Sequence, residues 1–542
     1  MTTAWEEGDP SRKLLVLAEA PAKNELRLGR PLVGQAGEVF NECLHTAGIS
    51  RHECYILNLF PFACYRDKGQ NLMAHNQNVK VWDAKKGITK EGFELAKPTF
   101  EKIMASGANC IIAMGNPPLD FLTHGHKPIM KWRGSPLKSV EGRKFIPTVH
   151  PAATLHGVYI WRYLIINDMV KAKGELESPE LTLPQRNIHL RPTIADIGHF
   201  FHRCYQEGRI ATDLECLNQQ VYCFSMAWSA KDIMVVPFVD SDGRPYWDEA
   251  DEEWIWLQYA KIMNDPKIMK INQNIVGFDA PFLLRYCNVH TKGPIGDTMI
   301  AQHIVYPEFP KGLDFIASIH TREPYWKDDG KIWKKIDFDW SVFQRYCGTD
   351  AGVALEAWDV LWDEMTKGDF VQTYDMTIGM SDQLAYMSTE GLAVNKKGLA
   401  ETNAILEKQI LEKQQALFEA CGRELNVNSS KQCQAYFYEH LGIPAYRNSQ
   451  GGLTTDDKAM SRIVRRASVG SREAKLVQDV RRLTKLKSTY MEVETDGDDR
   501  LRCSWNPRGT WTGRLSSSKT IAGTGMNLQN LDPEFKGFVV AG

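Results

Sequence analysis

The stretch RIATDLEC, residues 209–216, decides the fold of the central part of this chain. Its pattern predicts a strand in which Asp213 and Glu215 share one face while Leu214 points to the other. Two more strand-like runs follow, at 221–228 and 233–239. We therefore expect an antiparallel sheet that presents two carboxylates side by side.

Two further acidic motifs follow this strand. The first, NQNIVGFDAPFL, contains Asp279, and the second, YCGTDAG, carries Tyr346 and Asp350. The second motif has helical periodicity, which places Tyr346 and Asp350 one turn apart on the same face. Each motif alone fits an ordinary surface carboxylate. The ordered set instead predicts a nuclease, because phosphodiester hydrolysis uses two divalent cations about 3.5–4 Å apart and carboxylates hold such cations.

In order and spacing, these motifs resemble the 3′–5′ proofreading exonuclease domain of family A DNA polymerases, in its tyrosine-bearing form, over about residues 190–370. The resemblance implies an RNase H-like α/β domain with two Mg²⁺ or Mn²⁺ ions and a substrate of single-stranded DNA 3′ ends. It implies that the ions are held by Asp213, Glu215, Asp279 and Asp350. Tyr346 would orient or deprotonate the attacking water. Asn274 and Phe278 would support the site or the frayed 3′ end.

Composition indicates a multidomain globular protein. The chain has 542 residues, 43% hydrophobic content and a formal net charge of −2, so two to four domains are expected. Its twelve cysteines form no C-x-x-C pair, and no signal peptide is present, which favours reduced thiols and a cytoplasmic location. No apolar run has the length that crosses a bilayer, so we expect no membrane partner.

The order of patterns along the chain predicts an α/β multidomain protein. Strand-like and helix-like runs alternate over the first 174 residues, which predicts a mostly parallel sheet. A stretch with charge, prolines and little periodicity follows and is predicted as a linker. The sequence beyond the nuclease motifs is mostly helical to about residue 490. The predicted parts are 1–174, the linker 175–193, the nuclease 194–370, and a helical thumb and partial palm region 371–542.

The first part resembles family 4 uracil-DNA glycosylases across nearly its whole length. The motifs that carry the resemblance are AEAPAKNELRLGRPLVGQAGEVF at 18–40, YILN at 55–58 and TVHPAATL at 148–155. The resemblance implies a pocket for a flipped uracil. Glu19 would lie on the loop after the first strand, Asn58 would contact the Watson–Crick edge of uracil, and His150 would lie beside the developing negative charge.

This sequence departs from the family at several points. Leu32 replaces the aromatic residue that stacks on uracil, and Ala152 replaces the serine of the H-P-S motif. Without an N-terminal C-x-x-C pair, we expect no iron–sulfur cluster. Two interpretations therefore stay open: the domain excises uracil, or it only binds DNA while Glu19, Asn58 and His150 have ordinary structural roles.

The C-terminal region resembles the segment of family A polymerases that runs from thumb to palm. TGRLSS at 512–517 and NLQN at 527–530 carry that resemblance, which implies that Arg514, Asn527 and Gln529 contact the primer-template. Upstream, the run 462–490 concentrates positive charge on helical segments, including Lys485 and Lys487, as a grip on duplex phosphates requires. The alternative is a solvated helical face.

The chain ends in FVVAG, before the strand that carries the first palm aspartate in the family. We therefore expect no polymerisation by this chain alone. It is either a fragment or one half of a split enzyme whose second chain supplies palm and fingers. The domain order resembles polymerases of certain large bacteriophages, which implies a location in the host cytoplasm. Two rival functions are a base-excision repair enzyme and a non-catalytic DNA-binding subunit.

Overall fold

The computed structural model describes residues 4–75, 78–217, 219–334, 339–449, 451–520 and 523–540. The chain forms two compact units. The first contains Met1–Ile275 and Val289–Ile378, and the second contains Val276–Asn288 and Gly379–Gly542. The predicted borders at residues 174 and 193 both fall inside the first unit, and the four-part division stays a prediction. The last two residues of the FVVAG ending lie outside the described residues.

The N-terminal segment of the first unit is a layered α/β structure, as predicted. Its strands are β1 (Glu6–Glu7), β2 (Leu14–Ala18), β3 (Cys54–Asn58), β4 (Cys64–Arg66), β5 (Leu72–Ala74), β6 (Val79–Asp83), β7 (Gly87–Ile88), β8 (Cys110–Met114), β9 (Leu137–Lys138) and β10 (Lys144–Thr148). Its helices are α1 (Lys23–Leu28), α2 (Gln35–Thr46), α3 (Lys90–Ala105), α4 (Asn116–Thr123), α5 (Ile129–Trp132) and α6 (Trp161–Gly174). A short 3₁₀ helix covers Pro151–His156.

The main sheet has the strand order β1-β3-β2-β8-β10-β9. The four inner strands are parallel, and the two edge strands are antiparallel. Leu14 and Val16 pack into one hydrophobic core, whereas Leu15 and Leu17 pack into another on the opposite face. Both faces are therefore covered, which explains why these strands are continuous apolar runs in the sequence. A small antiparallel sheet, β4-β5-β6-β7, was not predicted because its strands are short and partly polar.

The central segment of the first unit is built on a mixed sheet. Its strands are β11 (Asn187–His189), β12 (Arg209–Leu217), β13 (Gln220–Ala227), β14 (Asp232–Pro237), β15 (Met269–Asn272) and β16 (Ile295–Asp297). The helices in this stretch are α7 (Ile194–Glu207), α8 (Glu249–Asn264), α9 (Asp279–Cys287), α10 (Thr298–Val305), α11 (Leu313–His320), α12 (Trp340–Lys367) and α13 (Val371–Ile378), of which α9 belongs to the second unit.

The strand order in this sheet is β11-β14-β13-β12-β15-β16. The predicted hairpin partners are confirmed, because β12, β13 and β14 pair antiparallel, while β12 pairs parallel with β15. Within the predicted linker 175–193, Asn187–His189 forms an edge strand beside β14. A strand of three residues gives no periodic signal, and the charged and proline residues on either side of it are typical of a linker.

Helix α12 lies unusually close to the sheet. An added Cβ at Gly348 would meet Ile188 Cγ2 at 2.8 Å, and one at Gly352 would meet Ile233 Cδ1 at 2.5 Å. These two glycines therefore let the helix backbone approach β11 and β14. This close approach also positions the turn of α12 that precedes Gly348, with its side chains, relative to β12.

Buried charged groups join the N-terminal and central segments inside the first unit. Arg133 and Asp168 form an ion pair whose side chains are both 0% exposed, and Arg133 also donates a 2.7 Å hydrogen bond to Ser318 Oγ. Lys171 Nζ donates to the carbonyl oxygens of Ser318 and Thr321 at 2.6 and 2.7 Å. Burial lowers the pKa of Lys171 to about 7. We call Arg133, Asp168, Lys171 and Ser318 the inter-segment cluster.

The second unit is mostly helical, as predicted. Besides α9 it contains α14 (Ser381–Glu390), α15 (Lys396–Cys421), α16 (Ser430–Gln434), α17 (Asp457–Arg466), α18 (Ser471–Leu486) and α19 (Pro533–Lys536), with the short strands β17 (Leu392–Val394), β18 (Arg500–Leu501), β19 (Ser504–Asn506), β20 (Ser516–Ser518) and β21 (Val539–Val540). Leu406 and Ile410 of α15 pack with Leu483 and Leu486 of α18 in one core. Across the described ranges, no helix combines the length and apolar character that spanning a membrane requires.

The inter-segment cluster predicts a large loss of stability when one charge is removed. In Arg133→Met, Asp168 loses the guanidinium that pairs with it in a dry environment. We expect the free energy of unfolding to fall by about 3–5 kcal/mol, measured as a lower midpoint of urea unfolding. Lys131→Met is the matched control, because its ion pair with Asp328 is 39% and 50% exposed and contributes less than about 1 kcal/mol. Equal midpoints for both variants would contradict the prediction.

Candidate functional site

Strand β12 and helix α12 bring three of the predicted carboxylates together in the first unit. Asp213 and Glu215 are half-buried on the same face of β12, and the strand pairing becomes irregular directly after Glu215. Asp350, which is 4% exposed, lies one helical turn after Tyr346 on α12. One oxygen each of Asp213 and Glu215 and the Sγ of Cys347 all lie within 4.8 Å of one another.

These carboxylates repel one another in a buried setting. Burial raises the pKa of Asp213 well above its usual range, and Asp350 raises it further. The pKa of Glu215 is also raised well above its usual range, first by burial and then by Asp213. A hard divalent cation would relieve this repulsion, and carboxylate oxygens are the donors that Mg²⁺ prefers. The donor set therefore fits the predicted metal ions.

Cys347 is a neighbour of the site that the sequence did not single out. Burial raises the pKa of its thiol well above the ordinary value, so the sulfur stays protonated. The thiol donates a 3.6 Å hydrogen bond to the main-chain oxygen of Asp213, and Ser225 Oγ donates a 2.9 Å bond to the main-chain oxygen of Cys347. Cys347 therefore ties α12 to β12 rather than serving as a ligand for a hard cation.

Two adjacent residues, Trp326 and Lys327, hold both carboxylate oxygens of Asp350. Trp326 Nε1 donates a 2.6 Å hydrogen bond to Asp350 Oδ1, and the Lys327 ammonium forms an ion pair with Asp350 Oδ2. Lys327 Nζ also donates a 3.2 Å hydrogen bond to the phenol oxygen of Tyr346. We call Trp326 and Lys327 the clasp. The sequence prediction missed it because the clasp lies in an irregular segment without helix or strand periodicity.

Tyr346 lies between the clasp and the carboxylates. An added Cβ at Gly330 would lie 2.6 Å from its ring, so the glycine leaves the space that the ring fills. Burial, followed by the charge of Asp350, raises the pKa of Tyr346. The phenol is therefore protonated in this environment and interacts by hydrogen bonding.

The second acidic motif is divided between the two units. Asn274, with a left-handed φ of 66°, donates its main-chain N–H to Asp297 Oδ1 at 3.2 Å in the first unit. Phe278 and Asp279 belong to the second unit, where Asp279 is the first residue of α9 and is 2% exposed. Phe278 stacks on Phe282 with ring centroids 5.9 Å apart. Metal binding by Asp279 and the supporting roles of Asn274 and Phe278 stay predictions.

The polar residues of the N-terminal pocket are engaged within the protein. Glu19 forms an ion pair with Arg66, and the Arg66 guanidinium lies 5.0 Å from the centre of the Trp82 ring. Asn58 Nδ2 donates a 2.9 Å hydrogen bond to the main-chain oxygen of Ala4. Burial raises the pKa of Glu19, although Arg66 opposes that shift.

His150 and Leu32 complete the predicted pocket residues. His150 Nδ1 accepts a 3.2 Å hydrogen bond from the main-chain N–H of Ala152, so the proton of the neutral ring lies on Nε2. Burial, followed by the charge of Arg66, lowers the pKa of His150 to about 4. Leu32 is buried and has a left-handed φ of 50°, which is strained for a side chain of this kind.

The predicted DNA-binding residues of the second unit differ in exposure and in the contacts that their side chains make. Lys485 and Arg514 are exposed. Lys487 forms a 2.6 Å ion pair with Glu492. Two others have structural hydrogen bonds, since Asn527 Oδ1 accepts from Ser517 Oγ and Gln529 Nε2 donates to the Leu515 main-chain oxygen.

One arginine of the basic run is also structural. Arg481 donates to the main-chain oxygens of Val427 and Thr455 at distances from 2.5 to 2.8 Å. The charge run therefore overestimates the positive charge that is free to contact phosphates. A repeating charge pattern cannot distinguish an inward arginine from an outward one.

The lowered pKa of His150 predicts a pH-dependent stability. Between about pH 6.5 and pH 4, the unfolded chain binds a proton that the folded chain does not. Stability is therefore lost as the pH falls through this window. Going from pH 7 to pH 5, we expect the wild type to lose about 1–2 kcal/mol more than His150→Gln, measured by urea unfolding. The exposed His45 provides the control, and His45→Gln should lose as much as the wild type.

Comparison with known proteins finds one family match in the N-terminal part of the chain and another in the C-terminal part. The uracil DNA glycosylase superfamily matches residues 5–162, and DNA polymerase family A matches residues 396–536. A type-4 uracil-DNA glycosylase from Thermotoga maritima is 30% identical over 170 residues, which cover 31% of this chain and 80% of that enzyme.

The matched polymerases are longer than this chain. DNA polymerase I of Streptococcus pneumoniae is 28% identical over 259 residues, covering 46% of this chain and 28% of the polymerase. DNA polymerase I of Pseudomonas aeruginosa is 24% identical over 338 residues, covering 60% and 35%. The chain thus spans about a third of the length of these curated relatives.

Among solved structures, one that aligns with this chain is the POL domain of Pol1 from M. smegmatis, in complex with DNA primer-template and dNTP. The alignment has a TM-score of 0.48 and 20% sequence identity, and it covers 64% of this chain and 56% of that chain. The sequence matches at the two ends are independent of that alignment. Residues 396–536 match DNA polymerase family A, and through its N-terminal domain this chain belongs to the uracil-DNA glycosylase superfamily.

Proposed function

We propose that this chain removes nucleotides from DNA 3′ ends by Mg²⁺- or Mn²⁺-dependent hydrolysis, as the proofreading part of a DNA polymerase I-like enzyme. The observation that carries the proposal is the convergence of Asp213, Glu215 and Asp350 around Tyr346. The similarity to DNA polymerase I supports it independently of the site.

Each residue of the site has a part in this proposal. Asp213, Glu215 and Asp350 would hold the metal ions, and Asp279 is proposed as a further ligand. Bound divalent ions supply charge stabilisation for the phosphate and an activated water. The protonated phenol of Tyr346 orients that water by a hydrogen bond. Half-burial of Asp213 and Glu215 excludes bulk water, which strengthens their electrostatic interactions.

The preferred substrate in this proposal is a single-stranded or frayed 3′ end. A paired terminal nucleotide is stacked and cannot reach a half-buried carboxylate site without unpairing. The aromatic rings of Trp326 and Tyr346 lie beside Asp350, with the Lys327 ammonium 4.9 Å from the centre of the Tyr346 ring.

The second unit is proposed to hold the primer-template. Its family A polymerase match supports this role, as do the exposed basic side chains of α17 and α18, which can contact phosphates. These residues are Lys458, Arg462, Arg465, Arg466, Arg472, Lys475, Arg482 and Lys485. A second chain that carries palm and fingers stays a prediction. A bacteriophage origin and a cytoplasmic location stay predictions.

The double variant Asp213→Ala, Glu215→Ala tests the nuclease proposal. It removes both carboxylates of β12, so we expect Mg²⁺-dependent shortening of a 5′-labelled single strand to fall by at least about 1,000-fold, as seen on denaturing gels. DNA binding measured by fluorescence anisotropy should be unchanged. The matched control is Asp242→Ala, Glu253→Ala, which removes two exposed carboxylates from the same segment. Near-normal digestion by the β12 variant would contradict the proposal.

Uracil excision is the second candidate function. It is favoured by the type-4 glycosylase that is 30% identical over 80% of its length. Within this chain, however, Glu19 is paired with Arg66, Asn58 is bound to Ala4, and the stacking position is Leu32. These interactions occupy the groups that excision requires, so we propose that the domain binds DNA without excising uracil.

A uracil-containing single strand in EDTA tests this second candidate. EDTA removes the metal ions that the nuclease needs, so any product reports on the N-terminal domain alone. We expect the strand to survive alkali treatment uncut, in the same amount as a strand with thymine in place of uracil. An alkali-labile break at the uracil that disappears in Asn58→Ala would instead establish excision.

A further inference from the structure

Lys327 contributes the only positive side chain that the described residues place in contact with Asp350. Its ammonium is also attracted by Asp213 and Glu215. The side chain is only 21% exposed, and its Nζ donates to the phenol oxygen of Tyr346. Lys327 therefore lies where the negative charge of the site is most concentrated.

We propose that Lys327 is an internal counter-cation, which offsets part of the negative charge of the metal-free site and leaves Asp350 when a divalent ion binds there. The inference rests on the proposed nuclease function and adds regulation to that site. Asp350 Oδ1 is held by Trp326, and Oδ2 is held by Lys327. A metal ion that binds Oδ2 would lie close to the ammonium, and the repulsion between the two cations favours movement of the Lys327 side chain away from Asp350.

The alternative is an ordinary surface ion pair that happens to lie near the site. Lys331 gives the comparison within the same segment, since it pairs with Asp328 while 61% exposed. Lys327 differs from Lys331 in its burial, in its contacts with the candidate site and in the partner of its ion pair. It is mostly buried, it contacts two groups of the candidate site, and its partner is one of three mutually repelling carboxylates.

The indole of Trp326 has a complementary role in this proposal. An N–H donor is neutral, so its hydrogen bond to Oδ1 persists when a metal ion occupies Oδ2. Trp326 thus keeps Asp350 oriented in both states, while Lys327 is present at the carboxylate in only one. Because the two residues are adjacent, the segment can release the ammonium and retain the indole by rotating one flexible side chain.

The test measures Mn²⁺ binding to the full chain without DNA, by the electron paramagnetic resonance of free Mn²⁺ at pH 8. Lys327→Met removes the competing charge and keeps an unbranched side chain. We expect its dissociation constant to be about 3- to 10-fold lower than that of the wild type. Lys327→Arg keeps the charge and should bind with the wild-type constant. Lys331→Met, the matched control, should also be unchanged.

Thermal unfolding gives a second readout that does not depend on activity. In EDTA, Lys327→Met should unfold at a lower temperature than the wild type, since its carboxylates lose their counter-charge. Added Mn²⁺ should raise its unfolding temperature more than it raises that of the wild type, because tighter binding to the folded state stabilises it more. Lys327→Met with wild-type or weaker Mn²⁺ affinity would overturn the proposal, and so would an equal Mn²⁺-induced shift.

Binding by Asp213→Ala, Glu215→Ala separates this proposal from the function on which it rests. If that variant loses Mn²⁺ while Lys327→Met binds as the wild type does, the counter-cation proposal fails and the nuclease proposal stands. If the double variant binds Mn²⁺ as tightly as the wild type, the metal lies elsewhere and both proposals fail.

Discussion

The candidate site depends on one constraint: buried carboxylates of like charge need a cation between them. Strand β12 and helix α12 bring Asp213, Glu215 and Asp350 together, and burial makes their repulsion costly. Lys327 places an ammonium beside Asp350, Trp326 donates a hydrogen bond to the same carboxylate, and Cys347 donates one to the main-chain oxygen of Asp213. Asp350 therefore has partners that offset its charge and fix its direction, and the attraction of Lys327 extends to Asp213 and Glu215.

Regular periodicity explains which parts of this arrangement could be predicted from sequence. A strand places alternate residues on one face, so Asp213 and Glu215 could be paired from the spacing alone. A helix places residues four apart on one face, so Tyr346 and Asp350 could be paired in the same way. The long apolar strands of the N-terminal sheet were equally visible, because both of their faces are covered.

The remaining features have no periodic signal. The clasp lies 19 or more residues before Tyr346 in an irregular segment, so only tertiary structure brings it to Asp350. Strand β11 has three residues and lies in a stretch that resembles a linker. The inward direction of Arg481 also depends on its tertiary neighbours, since the same charge run contains exposed arginines. Predictions from sequence thus stop where function depends on residues from separate segments.

The inter-segment cluster gives the glycosylase-like domain a defined position against the central segment of the first unit. A buried ion pair contributes little net stability, because desolvation offsets most of its attraction. Separating the two segments would break the hydrogen bonds that the buried charged groups Arg133 and Lys171 donate to Ser318 and Thr321. The cluster therefore penalises alternative arrangements more strongly than it stabilises this one. A DNA strand that contacts both segments would meet two surfaces at a fixed spacing, whether or not the N-terminal pocket has chemistry of its own.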